Sequence, residues 1–175
     1  MSKLRVAVIG TGMIANSAHF PALNDLRKEG LVEVVGVADI REEVAAETAK
    51  RHDVPNYYKD PQKMLDELKP DFVAVCTPNM YHKEWTIKAL KAGAHVACEK
   101  PMGLSVADVE EMWQTAKDCG KHLFPCQCMR WRNYMQQSKE IVSSGELGDV
   151  YFSDISFILP KDKNARVITD TIEPT

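Results

Sequence analysis

The chain has 175 residues, 45% of them hydrophobic, and a formal charge of −3. That length sets one domain as the default, with room for the start of a second. Interspersed acids and bases give no electrostatic case for nucleic acid or an anionic membrane. No apolar run is long enough to span a bilayer, and no signal-peptide core precedes the first strand pattern, so a cytoplasmic protein is expected.

The first predicted strand, Leu4–Ile9, runs into Gly10-Thr11-Gly12-Met13-Ile14-Ala15. This is G-x-G-x-x-A at a strand exit, and each small residue has a physical task. Gly10 permits a tight turn, Gly12 lacks the Cβ that would keep a pyrophosphate off the backbone, and Ala15 lets a helix pack closely on the strand. Phosphates would then meet free N–H groups at a helix N-terminus, where the dipole favours negative charge. The helix pattern over Met13–Arg27 is interrupted by Pro21, which predicts two helical pieces meeting near His19 and Phe20.

The second strand, Leu31–Ala38, ends on Asp39. A carboxylate there can accept hydrogen bonds from a ribose diol and repels a 2′-phosphate, which favours NAD over NADP. Asp60-Pro61 is a cap followed by proline at the first helical position, and Pro70 stops that helix. A third strand, Phe72–Cys76, leads into Thr77-Pro78-Asn79-Met80-Tyr81-His82. Thr77 and Asn79 can line a cofactor cleft; alternatively the segment is a plain helix entry, with Asn79 as cap and His82 in the first turn. The helix Tyr81–Ala92 closes at Gly93.

The strand His95–Cys98 is followed by Glu99-Lys100-Pro101. A lysine held between a carboxylate and a rigid residue can bind a substrate hydroxyl and stabilise developing oxyanion charge. A surface Glu-Lys pair before a proline turn is the competing reading. Ser105-x-x-Asp108 resembles a capping box, behind which Val106, Val109, Met112, Trp113 and Ala116 form an apolar stripe expected in the core. Gly120 closes this helix, and the strand His122–Cys126 follows. The strands are short, continuous and rich in Val, Ala and Cys, as in parallel sheets covered on both faces.

Five cysteines, an odd number mostly in or beside these strands, read as reduced thiols, and Cys126-Gln127-Cys128 lacks the partner pair zinc spacing needs; no metal is expected. Arg130-Trp131-Arg132-Asn133-Tyr134 is either a ligand-facing cluster or an interdomain joint. A helix over Asn133–Ser144 ends at Gly145, a turn covers Glu146–Asp149, and Val150–Leu159 reads as a half-exposed strand of a different sheet, with Lys161–Thr175 as loop or tail. Alone, such a strand predicts self-association through unpaired backbone.

Taken together, Gly10-Thr11-Gly12-Met13-Ile14-Ala15, Thr77-Pro78-Asn79 with His82, Glu99-Lys100-Pro101, Arg130 with its following aromatic, and Gly145-Glu146-Leu147-Gly148 resemble the Gfo/Idh/MocA family of NAD(P)-dependent oxidoreductases over about the first 155 residues. The resemblance implies an α/β fold. A doubly wound parallel sheet (Rossmann) over 1–128 would be followed, over 129–175, by the truncated start of an α/β substrate domain. It implies hydride transfer between NAD, or NADP as the alternative, and a hydroxyl or carbonyl of a sugar, inositol or related polyol. The full-length form would be a homo-oligomer. By position, Gly10, Gly12, Met13 and Ile14 would hold the pyrophosphate and Asp39 the ribose, with Arg41 near the adenine. Thr77, Asn79, His82 and Glu99 would lie along the nicotinamide half, and Lys100 would meet the substrate hydroxyl as the catalytic residue.

Family members are roughly twice as long, and their second domain supplies an Asp and a His for proton transfer. Here the last histidine is His122 and no Asp-x-x-x-His pattern occurs, so the chain is expected to be the first part of such an enzyme. A non-catalytic NAD-binding module, or an inactive remnant, is the alternative.

Overall fold

The computed structural model describes residues 2–154. The chain divides into two compact units, a first ending at Met129 and a second beginning at Arg130. The first holds a six-stranded, wholly parallel sheet in the order β3-β2-β1-β4-β5-β6. Its strands are β1 (Leu4–Ile9), β2 (Val32–Ala38), β3 (Tyr57–Tyr58), β4 (Phe72–Val75), β5 (His95–Cys98) and β6 (Leu123–Pro125). Its α-helices are α1 (Phe20–Lys28), α2 (Glu42–His52), α3 (Pro61–Leu68), α4 (His82–Lys91) and α5 (Val106–Asp118). The doubly wound α/β fold expected of the sequence is therefore present.

Period-two alternation within buried strands builds two cores. Val6 and Val8 of β1 join Phe20 and Leu23 of α1 and Ala45 and Ala49 of α2 on one face. Ala7 and Ile9 join Met64 and Leu65 of α3, Leu90 of α4 and Met112 of α5 on the other. Both faces of β1 are thus dry, which is why it reads as an unbroken apolar run.

As expected from Pro21, the first helix is in two pieces that meet at His19 and Phe20. Ala15–His19 form a π-helical turn that leads directly into α1, with the Phe20 N–H donating to Ala15 O. The wider turn absorbs the proline. The strand β3 and helix α2 were not anticipated; the two residues of β3 are too few to leave a periodic trace.

A further difference is on α5. Met112 and Ala116 are buried, but Trp113 is 40% and Val106 76% exposed. Val106, Val109 and Trp113 lie three and four apart on one stripe, Met112 and Ala116 on the neighbouring one. The sheet covers only the second stripe. Trp113 is therefore not a core residue, and with Leu104 it lines a groove of about 710 Å³ along the outside of α5.

The caps follow the sequence more closely. Asp60 accepts from the Gln62 N–H, Ser105 Oγ accepts from the Asp108 N–H, and Gly93 adopts φ +94°. Asp108 hydrogen-bonds back to Ser105 and also pairs with Lys83 of α4 at 2.9 Å.

In the second unit, α6 (Asn133–Ser144) ends at Gly145 with φ +80°. Residues 150–154 are irregular, and the rest of the strand expected over 150–159, with the tail 161–175, lies outside the described residues. No described helix is long and apolar enough to cross a membrane.

Candidate cofactor cleft and lysine loop

The strand order reverses between β1 and β4, and ligands of open α/β sheets bind in the crevice beyond such a switch point. Here the ladder continues one residue past several strands. The Gly10 N–H donates to Ala38 O (2.8 Å), Cys76 to Ile9 O (2.7 Å), Glu99 to Val75 O (3.0 Å) and Cys126 to Cys98 O (2.8 Å). These bonds bring the Gly-rich turn, Thr77, the Glu99–Pro101 segment and Cys126 to one edge.

Gly10 adopts φ +88°, and a Cβ there would stand 2.7 Å from the Cys76 carbonyl and the Thr77 nitrogen. Its lack of a side chain lets the two turns meet. A Cβ on Gly12 would meet nothing within 4 Å, so the backbone at the helix entry faces open space. Asn16, which the motif reading passed over, organises this turn. Its Nδ2 donates to Thr11 O (2.7 Å) and Gly12 O (3.0 Å), while its Oδ1 lies 3.0 Å from His52 Nε2. Burial, then the charges of Arg51 and Arg27, push the His52 pKa down, and its ring stacks on Phe20 at 4.0 Å. The signal for Asn16 is a short amide within reach of the carbonyls four and five residues before it.

A cleft of about 490 Å³ opens beside the turn. Gly10, Gly12, Met13, Ile14, Asp39, Arg41 and Thr77 line it, as the sequence suggested. Ile40, Pro61, Tyr81 and Trp85 also line it and were missed. Tyr81 and Trp85 stand four apart at the start of α4, a spacing that places both on one helix face. Size and mixed lining suit a nucleotide.

Asp39 is 9% exposed. It accepts from the Thr11 N–H (3.0 Å), the Thr11 hydroxyl (3.1 Å) and the Arg41 N–H (3.0 Å), with Arg41 Nε at 3.6 Å. Burial raises its pKa, but these hydrogen bonds and the Arg41 charge outweigh it and hold it below the ordinary value. The Thr77 hydroxyl is buried without a hydrogen-bond partner among the described residues.

The remaining predicted residues do not line this cleft. Asn79 is exposed on a 3₁₀ turn over Asn79–Tyr81. His82 is 1% exposed, with Nδ1 2.7 Å from Pro101 O and Nε2 2.8 Å from Thr77 O. It sits beneath the surface between these two carbonyls. Glu99 is 9% exposed; its Oε1 lies 2.8 Å from His19 Nε2 and its Oε2 accepts from the Lys100 N–H at 3.2 Å. Lys100 is exposed beyond it, at the edge where β5 ends.

Cys126 does not pair with Cys128. Its Sγ, His19 Nε2 and a Glu99 oxygen all lie within 4.8 Å of one another. All five cysteines are free thiols, with Cys76 and Cys98 buried. Burial, reinforced by the Glu99 charge and neighbouring thiols, pushes Cys126 up to about 12. In the second unit Trp131 is 75% exposed beside Arg130 and Arg132.

A parallel sheet ordered 3-2-1-4-5-6, a Gly-rich turn at its switch point and an acid ending β2 define a dinucleotide-binding Rossmann domain. The model of the Gfo/Idh/MocA oxidoreductase family, described as an NAD-binding Rossmann fold, matches residues 4–126. The chain belongs to that family, and this region is its NAD-binding domain.

The chain is 40% identical over 153 residues to a D-glucoside 3-dehydrogenase of Escherichia coli, covering 86% of this chain and 42% of the relative. It is 31% identical to a myo-inositol 2-dehydrogenase of Thermotoga maritima, covering 83% and 42%. The WlbA dehydrogenase of Chromobacterium violaceum, solved with NADH and UDP-GlcNAcA, superposes with a TM-score of 0.78 at 30% identity, over 85% of this chain and 42% of that one. The chain thus spans well under half the length of these relatives.

Proposed function

We propose that this chain is the cofactor half of an NAD-dependent dehydrogenase acting on a CH–OH group of a sugar, inositol or related polyol. The observation that carries this reading is the cleft at the β1/β4 switch point, lined by Gly10, Gly12, Met13 and Ile14 and by Asp39. The kinship with a glucoside and an inositol dehydrogenase supports the substrate class.

In this reading the open backbone at Gly12, Met13 and Ile14 offers its N–H groups to a pyrophosphate. A carboxylate has about four acceptor positions. Three hydrogen bonds leave Asp39 capacity for a ribose diol. Its charge opposes a 2′-phosphate, and Arg41 partly offsets it, so NADPH binds more weakly than NADH. Ile40, Tyr81 and Trp85 give the base apolar walls. Thr77 and Glu99 flank the nicotinamide end.

When bound, the nicotinamide supplies the hydride donor or acceptor. Lys100, exposed beyond the end of β5, then polarises the substrate oxygen with its ammonium. Residues from 129 onward are the beginning of the substrate domain.

Calorimetric titration of the folded chain with NADH and NADPH tests this. Micromolar NADH binding with weaker NADPH binding is expected. Absence of binding to either would overturn the cofactor reading.

A further inference from the structure

Glu99 and Lys100 are the residues the proposed chemistry needs most, yet neither lines the cofactor cleft. What holds them beside it is a set of contacts from other segments. From one flank, His82 joins the carbonyl of Pro101 to that of Thr77. From the other, His19 reaches across eighty residues of sequence to Glu99 Oε1 at 2.8 Å. Glu99 then uses its second oxygen on the Lys100 N–H. The chain of bonds therefore runs from the π-helical turn behind the phosphate-binding glycines, through one carboxylate, to the backbone of the lysine.

We infer that His19 is a positioning residue: it sets the orientation of Glu99, and through it the Lys100 backbone, relative to the nicotinamide end of the cleft. Two observations converge on this. His19 and Glu99 side chains are only 16% and 11% exposed, so the pair is shielded from competing water. A bond to a charged, largely buried group is stronger than a neutral one. And His19 sits on the π-helical turn Ala15–His19, the one place in this helix where an extra residue is inserted, so it is attached directly to the segment that follows the Gly-rich turn.

The nearby Cys126 thiol makes a His-Glu-Cys trio, but the 2.8 Å separation of His19 Nε2 and Glu99 Oε1 is that of a direct hydrogen bond. A metal ligated by both would need to separate them.

The inference rests on the cofactor reading above, and the test separates the two. The full chain, with His19→Ala and His19→Gln variants, is titrated with NADH and with ADP-ribose, which lacks only the nicotinamide. Binding of both by the parent chain sustains the cofactor reading; if neither binds, that reading falls and this inference with it. The His19→Ala variant should then lose about tenfold in NADH affinity and none in ADP-ribose affinity. His19→Gln, whose amide can donate to Glu99, should recover most of the loss. Equal loss for both ligands, or no loss for either, would overturn the inference while leaving the cofactor reading intact. Micromolar zinc binding that disappears in both His19→Ala and Cys126→Ser would overturn it in favour of a metal centre.

Discussion

Gly10 and Gly12 stand two residues apart in one motif, yet the structure predicts opposite consequences for the same substitution. At Gly10 an alanine Cβ would lie 2.7 Å from backbone atoms of Cys76 and Thr77, with φ fixed at +88°. A positive φ costs a non-glycine residue roughly 1–2 kcal/mol. Forcing an atom into a packed site costs about 1–3 kcal/mol more. The neighbours are backbone of the β4 exit, so no side chain can swing aside. Gly10→Ala should therefore lose about 2–5 kcal/mol, a large part of a typical domain's stability. In a chain of this size that is a fall of roughly 4–20 °C in Tm.

At Gly12 the added methyl would meet nothing within 4 Å, so Gly12→Ala should melt within about a degree of the parent chain. Its methyl would stand in the open space above the turn, where a pyrophosphate approaches, and NADH affinity should fall at least about tenfold. Thermal denaturation by circular dichroism and calorimetry with NADH read the two arms. A Gly10→Ala chain as stable as the parent would refute the seam argument. A Gly12→Ala chain that binds NADH normally would refute the assignment of the turn.

Asp39 predicts an acid-side dependence of stability. Its folded pKa is held below the ordinary value of 3.8, so its contribution is complete above that value and is lost as pH falls through the folded pKa. Urea melts of Asp39→Asn should show less loss between neutrality and acid than the parent, together with weaker NADH binding; identical pH profiles would count against the hydrogen-bond account. Lys100→Ala, at an exposed position, should leave both Tm and NADH affinity unchanged, and a large drop in affinity would mean that the lysine binds cofactor rather than substrate. A brief alkylation pulse at pH 8, read by mass spectrometry, should label exposed Cys128 first. Cys98, at about 11, and Cys126, at about 12, should resist until the chain unfolds. Early labelling of Cys126 would contradict its shielded setting.

Strand edges and caps were legible because their causes are local. Apolar runs bounded by Gly10, Asp39, Pro70 and Gly93 mark the ends of β1, β2, α3 and α4 almost to the residue. The Gly-rich turn was legible for the same reason: Gly10, Gly12 and Asp39 each answer a steric or electrostatic need that depends on few neighbours. Local pattern failed where a residue's fate depended on what lies opposite. Val106 and Trp113 belong to an apolar stripe on α5, but the sheet reaches only the adjoining stripe of Met112 and Ala116.

The sequence by itself thus determined the parallel α/β architecture, the place of the Gly-rich turn and the acid that shares its cleft, since these follow from periodicity and from the chemistry of single residues. Tertiary structure alone decided that His82 is buried between the Thr77 and Pro101 carbonyls, that Asn16 braces the Gly-rich turn, and that His19 meets Glu99. Each is a contact between segments far apart in sequence, or between a side chain and a backbone turn. Such contacts are set by how the strands are ordered in the sheet, and a linear pattern does not encode them.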